Sequence, residues 1–320
     1  PGGLLMQKHF SPYFLFILLT LMVPTAFGQA IVTTAYGSRQ TATFPQTAAE
    51  IAAALPNPTI VTATYANQDP QGVDYFGSDD ALIAEFRKGL IHHIRISDAS
   101  LIDTIDLNSK GYNGEGAIAI SPDLNYTLLS EHRNLFVIPA PFDASAASRT
   151  RVTTLPGEAV GAQTSSIEFD ATGRAFVSHS TGISVLDPPY ASIAFTMPYV
   201  NPNGGALALT PDGQQLLATN LGHEVSIFNA PFSAASRPFV LPLSCARADG
   251  IDITPDGQTA IVANTGQNKA CIIAAPFSAS SSVLERNDVS TVSGDGFEDV
   301  SISADGLLAV FCGNGARPGR

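Results

Sequence analysis

Tryptophan is absent from the 320 residues, cysteine occurs three times, and only 14% of the side chains are charged. Basic residues are the scarcer sign, 16 Lys and Arg against 28 Asp and Glu, for a net charge of −12. That balance argues against a nucleic-acid surface, which needs a positive field to displace counterions. Disorder is excluded as well, because it combines low hydrophobicity with high charge density and this chain is 45% hydrophobic. There is no G-x-S-x-G elbow, so an α/β-hydrolase reading fails. There is no C-x-x-C-H, so covalent c-type haem is excluded. No P-loop or dinucleotide glycine motif stands between a strand and a helix. No catalytic motif of any kind emerges, and the sequence speaks to architecture and compartment more than to activity.

Long apolar runs are lacking after the first thirty residues. Met6-Gln7-Lys8-His9 leads into an almost wholly apolar Phe10–Val23, then Pro24 and the small-x-small site Ala26-Phe27-Gly28. The run falls short of the ~20 residues that span a bilayer. Residues 1–28 are therefore expected to be a secretory signal peptide cut before Gln29, with residues 1–5, ahead of the first methionine, as upstream read-through. A retained membrane anchor is the competing reading. Export makes the protein secreted, periplasmic or cell-surface. Cys245, Cys271 and Cys312 all lie in the mature part. One disulfide and one free thiol is the simplest oxidised state, with Cys245–Cys271 preferred because both fall in one repeat. Three buried thiols is the alternative.

What the chain does have is a repeat. Gly250-Ile-Asp-Ile-Thr-Pro-Asp-Gly257 is followed by Gln258–Gly266 and Asn268–Phe277. One unit earlier stand Ala206-Leu-Ala-Leu-Thr-Pro-Asp-Gly213, Gln214–Gly222 and Glu224–Phe232. Further copies are Ile118–Asp123, Ile167–Gly173 and Val300–Gly306, with a weaker first copy at Asp74–Asp80. The turns open at residues 78, 121, 170, 210, 254 and 303, which is 225 residues over five intervals, a mean of 45. A period of ~40–50 residues holding several short strands marks a β-propeller. Ile251 and Ile253 alternate with Asp252 as in a strand. Thr-Pro-Asp-Gly is a tight turn in which Pro presets φ, Asp caps and Gly takes positive φ. Ala260–Ala263 is an apolar run expected where both strand faces are covered. Ala270–Ile273 forms a third strand, which Ala-Pro-Phe ends. Phe239–Leu243 and Arg151–Leu155 supply fourth strands. Each repeat is thus one blade of four antiparallel strands, and the fold class is all-β. A β-sandwich is the competing fold.

The phrase of a strand, Ser/Thr-Pro-Asp-Gly, a strand ending Ala-Asn-x-Gly and a further strand resembles the YVTN-type β-propeller repeat of the lactonase-like and cytochrome-d1-like superfamily. The resemblance covers residues from about 60 to 315 and implies a propeller fold without fixing an activity. The Tyr-Val of the family's second strand is replaced here by Leu216-Leu217, Ile261-Val262 and Val310-Phe311. The recurrent Ala-Pro-Phe phrase is this chain's own signature. Absent tryptophan weakens a quinone-dependent dehydrogenase reading, since that cofactor commonly stacks on an indole.

The expected organisation is a signal peptide over 1–28, an extension over 29–58 and a propeller over 59–320. The extension carries a capping box, Thr47-Ala-Ala-Glu50, ahead of a short helix at Ile51–Leu55. Six blade openings are visible, and the last supplies two strands. Either Thr59–Tyr65 completes that blade in a six-bladed ring, or a seventh blade follows.

The turns before first strands and after second strands open on one face, the usual functional face of a propeller. Acids near it include Asp74, Glu115, Asp249, Asp295, Glu298 and Asp299. Glu115, Asp249, Glu298 and Asp299 are the candidate metal ligands, as oxygens from several segments suit Ca²⁺. Solvated loop acids are the competing reading. His132, His179 and His223 sit at the ends of second strands in three consecutive blades, while His92 and His93 lie in a third strand. Imidazoles on one face can hold a transition metal or act as a base, although splaying blades separate them. Two functions are carried forward. The first is a non-catalytic binding or scaffold module whose loop face takes a protein, glycan or small ligand. The alternative is a lactonase-like or other metal-assisted hydrolase using the acids at the tunnel mouth.

Overall fold

The computed structural model describes residues 8–9, 15–20, 29–34, 59–61, 70–76, 79–85, 88–95, 100–112, 116–159, 166–199, 205–244, 247–264, 269–286, 297–302 and 309–313. The short helix expected at 51–55 lies outside them. Within them the protein is a β-propeller. Blade 1 comprises Pro70–Phe76, Asp80–Glu85, Leu90–Arg95 and Leu101–Asp106, paired in that order and antiparallel. Blade 3 comprises Ile167–Phe169, Ala175–His179, Gly182–Leu186 and Phe195–Pro198. Blade 4 comprises Leu207–Leu209, Gln215–Thr219, Glu224–Asn229 and Phe239–Pro242. Blade 5 comprises Ala248–Ile253, Thr259–Asn264, Lys269–Ala274 and Val283–Arg286. Blade 6 is described by Phe297–Ile302 paired with Ala309–Gly313.

Blade 2 contains Ile118–Ile120, the 14-residue Tyr126–Pro139 and Arg151–Ala159. The long strand is a hairpin. Ala140 N–H donates to the Asn125 carbonyl at 2.8 Å, as Ala230 does to Gln214 and Ala275 to Gln258 at the base of the hairpins in blades 4 and 5. The chain doubles back at His132, whose φ is 49°. Blade 2 therefore has four strands like its neighbours.

Ahead of the blades, Lys8–His9 pairs with the first strand of blade 1. Leu15–Thr20, Gln29–Thr34 and Thr59–Val61 form a small sheet in which Thr59–Val61 runs parallel to Gln29–Ile31.

The turns follow from local chemistry. In blades 2, 4 and 5 the hydroxyls of Ser121, Thr210 and Thr254 donate to Asp123, Asp212 and Asp256, each at 2.6 Å. Each aspartate also accepts the N–H two residues on, from Asn125, Gln214 and Gln258. Gly213 and Gly257 take φ of 68° and 70°, the left-handed region that glycine enters without a Cβ clash.

The core is a set of layers between blades. Leu82, Ile91 and Ile105 of blade 1 pack on Ile118, Leu129 and Phe136 of blade 2. Leu217, Val225 and Ile227 of blade 4 pack on Ile251, Val262 and Cys271 of blade 5. Second strands are covered on both faces: Ala260 and Val262 face blade 4, while Ile261 and Ala263 face Val300 of blade 6. First strands of successive blades touch one another and form the hub. Fourth strands lie at the rim, where Leu101, Val152, Phe239 and Leu284 are exposed.

The Ala-Pro-Phe phrase does more than end a strand. Phe142 of blade 2 inserts against Phe76 of blade 1, with ring centroids 5.2 Å apart. Phe232 of blade 4 meets Phe176 of blade 3 at 5.1 Å, and Phe277 of blade 5 sits in the layer with blade 4. Tyr190 of blade 3 plays the same part against Tyr126 of blade 2 at 5.3 Å. The wedges are also hydrogen-bonded. The Phe277 carbonyl accepts from Gln215 Nε2 at 2.8 Å, and the Phe142 carbonyl lies 3.1 Å from His93 Nδ1. Blades 2 and 5 are each clasped to the one before by an aromatic ring and the carbonyl of the same residue, and blades 3 and 4 by the ring.

Candidate functional site

The face onto which second strands exit carries a row of polar residues at equivalent positions: Glu85, Glu131, His179, Asn220 and Asn264 in blades 1 to 5. Glu85, Glu131, His179 and Asn264 are buried. Burial of such groups requires hydrogen-bonding partners, and for Glu85 and His179 these come from the same blade. In blade 1, Glu85 Oε2 lies 2.9 Å from His92 Nε2, and His92 Nδ1 lies 3.0 Å from Thr104 Oγ1. In blade 3, His179 Nε2 lies 2.9 Å from Ser184 Oγ, which lies 3.1 Å from Thr196 Oγ1. The registers are the same, since Ile83 pairs with His92 and His92 with Thr104, as Val177 pairs with Ser184 and Ser184 with Thr196.

A hydroxyl, an imidazole and a carboxylate in sequence is the arrangement of a nucleophile with its base. Here the order recurs in blade 3 without a carboxylate and is buried in both blades. It is a polar rung that ties strands two, three and four of a blade together. Burial lowers the His179 pKa to about 4, so the ring is neutral at physiological pH. Sequence reading missed the rung. Its signal was the polar residue at the centre of the third strand, His92 or Ser184, amid apolar neighbours.

Blade 5 breaks the pattern. Val262 pairs with Cys271, which pairs with Glu285, so Cys271 occupies the place of His92 and Ser184. Cys271 is disulfide-bonded. Asn264 occupies the place of Glu85 and His179, is fully buried, and has no hydrogen-bond partner for either amide atom among the described residues.

The proposed metal ligands are only partly described. Glu115 lies outside the described residues, as does Asp295. Glu298 and Asp299 belong to the inner strand Phe297–Ile302 of blade 6, but their side chains are outside the described set. Asp249 is 4% exposed in the inner strand of blade 5, at an irregularity between Ala248 and Ile251. Its carbonyl accepts the Thr219 hydroxyl of blade 4. Asp74 is buried between blades 1 and 2 and accepts backbone N–H groups there. The structure thus describes Asp249 alone of the four candidate Ca²⁺ ligands, and among the described residues no group of three or more His, Cys, Asp or Glu side chains is placed to hold a metal.

The histidines do not gather. His132 and His223 are exposed at blades 2 and 4, whereas His179 turns inward to Ser184. His92 is in its rung, and His93 lies between the Phe142 carbonyl and Asp80 Oδ1. No helix among the described residues is long and apolar enough to cross a membrane.

No family model and no curated protein sequence matches the chain. Its fold is known. The chain is similar in structure to hydrazine synthase of Kuenenia stuttgartiensis, a protein that contains a β-propeller. The match has a TM-score of 0.56 at 15% identity and covers 73% of this chain and 70% of the other. At that identity the likeness concerns the fold alone.

Proposed function

We propose that the protein is an exported β-propeller of YVTN type that acts as a binding module through the face onto which its second strands exit. The observation that carries this reading is the clasping of blades 2, 3 and 5 to their predecessors by Phe142, Tyr190 and Phe277. A ring so held presents the loops between blades on an inflexible frame, which is the arrangement that suits recognition. The Glu85 and His179 rungs support the same reading, because they commit those polar groups to holding the blades. Glu115, Asp249, Glu298 and Asp299 remain the acids proposed to meet a ligand or a Ca²⁺ ion on that face.

The test compares binding with turnover. Purified protein is melted with a panel of soluble glycans and assayed against a panel of lactones, with Ca²⁺ and with chelator. A glycan-dependent rise in melting temperature, lost in Asp249→Asn and without lactone hydrolysis, supports the binding module. Calcium-dependent lactone hydrolysis lost in Asp249→Asn establishes the metal-assisted hydrolase instead.

A further inference from the structure

We propose that Cys271 is bonded to Cys245, and that this bridge straps the run-in of blade 5's inner strand to its third strand. Cys271 is disulfide-bonded, and only Cys245 and Cys312 are available to it. The side chains of both lie outside the described residues. The choice follows from the surroundings of Cys271. It is fully buried in the layer between blades 4 and 5, packed with Leu217, Val225, Ile227, Leu241 and Leu243 of blade 4. Cys245 follows Leu243 by two residues. Cys312 belongs to the second strand of blade 6, on the opposite side of blade 5, where Ile261 and Ala263 meet Val300. Packed sheets stand ~10 Å apart, whereas a disulfide needs Cα atoms within about 7 Å. A bond to Cys312 would have to cross the sheet of blade 5.

Asn264 supplies an independent sign. Its counterparts Glu85 and His179 bond to His92 and Ser184 on the third strand, but its own third-strand neighbour is Cys271. A sulfur committed to a disulfide has no proton to donate, and the amide has no partner among the described residues. The bridge encloses the segment that carries Arg247, Ala248 and Asp249 on the loop face. It forms by exchange: an oxidised dithiol oxidoreductase accepts two electrons and two protons from the two thiols and leaves as a dithiol. Cys312 remains a thiol. The proposal stands whether or not the binding reading does.

Full-length protein secreted into an oxidising compartment is alkylated and digested with trypsin without reduction. Cuts after Arg247, Lys269 and Arg286 put the three cysteines on separate peptides. The expected result is a Cys245 peptide linked to Ala270–Arg286, with Cys312 alkylated. A Cys271–Cys312 link, or alkylated Cys271, overturns the proposal. Reductant should lower the melting temperature of the wild type and of Cys312→Ser by roughly 5–10 °C. Loss of that response in Cys312→Ser would overturn it too. The mapping uses unmodified protein, so it decides the matter even if a cysteine variant fails to fold.

Discussion

Asp74 Oδ2 accepts a hydrogen bond from the Ile120 backbone N–H at 2.6 Å, across the gap between blades 1 and 2. Asp252 Oδ2 does the same for Ile302 at 2.7 Å, between blades 5 and 6. The first strands of blades 2 and 6 are sheet edges at the hub, and among the described residues their outward N–H groups have no strand to pair with. A carboxylate from the preceding blade satisfies one of them. Glu168 holds the same position in blade 3, while Ala119, Ala208 and Ser301 hold it in blades 2, 4 and 6. Acids therefore alternate with small residues around the described hub.

Burial raises the Asp74 pKa to about 8, against the lowering effect of the Ile120 and Tyr75 N–H groups. Between about 4 and about 8 the folded protein keeps a proton that the unfolded chain releases. Stability contributed by this group is full below about 4 and falls as pH rises through that window, by up to ~1.4 kcal/mol per unit. Asp74→Asn should flatten the slope, read from urea midpoints across pH. A slope unchanged in the variant assigns the titration to another group.

His179 has the opposite sign. Its pKa is lowered from 6.5 to about 4 by burial, so the unfolded chain takes up a proton that the folded protein refuses. Its contribution is present above about 6.5 and is lost as pH falls through about 4. His179→Gln should remove that acid-side loss. In the Asp74→Asn background the histidine slope should stand alone, because the two wild-type slopes oppose each other between about 4 and 6.5.

Phe142 is 5% exposed whereas Phe232 is half-buried, so the two wedges should differ in weight. Phe142→Ala empties a filled layer between blades 1 and 2 and should cost about 3–5 kcal/mol. Phe232→Ala should cost roughly half as much, since less apolar area is returned to water. Chemical denaturation of both variants checks the ranking.

Leu124 holds φ of 60° at the turn position that Gly213 and Gly257 fill in blades 4 and 5. Its N–H bonds to the Ser121 carbonyl as theirs bond to Thr210 and Thr254. A side chain in this left-handed region costs ~1–2 kcal/mol, and Leu124 is exposed. Leu124→Gly should raise stability by up to ~1 kcal/mol, while Gly257→Leu should lower it by a similar amount, both read from melting temperatures.

The turns were legible in the chain because their bonds close within five residues: Thr254, Asp256 and Gln258 satisfy one another wherever the segment is placed. So were the period and the strand alternation, which follow from the pleat and from Pro and Gly at fixed offsets. These local terms, repeated about every 45 residues, determined a propeller. Tertiary structure alone decided what the Ala-Pro-Phe rings, the Glu85 and His179 rungs and the Asp74 carboxylate do. Each acts across a blade or between two blades, on partners 5 to 62 residues away such as Ser184 for His179 or Phe277 for Gln215. Residue type shows that a polar group must be satisfied. Only the stacking of one sheet on the next supplies the group that satisfies it.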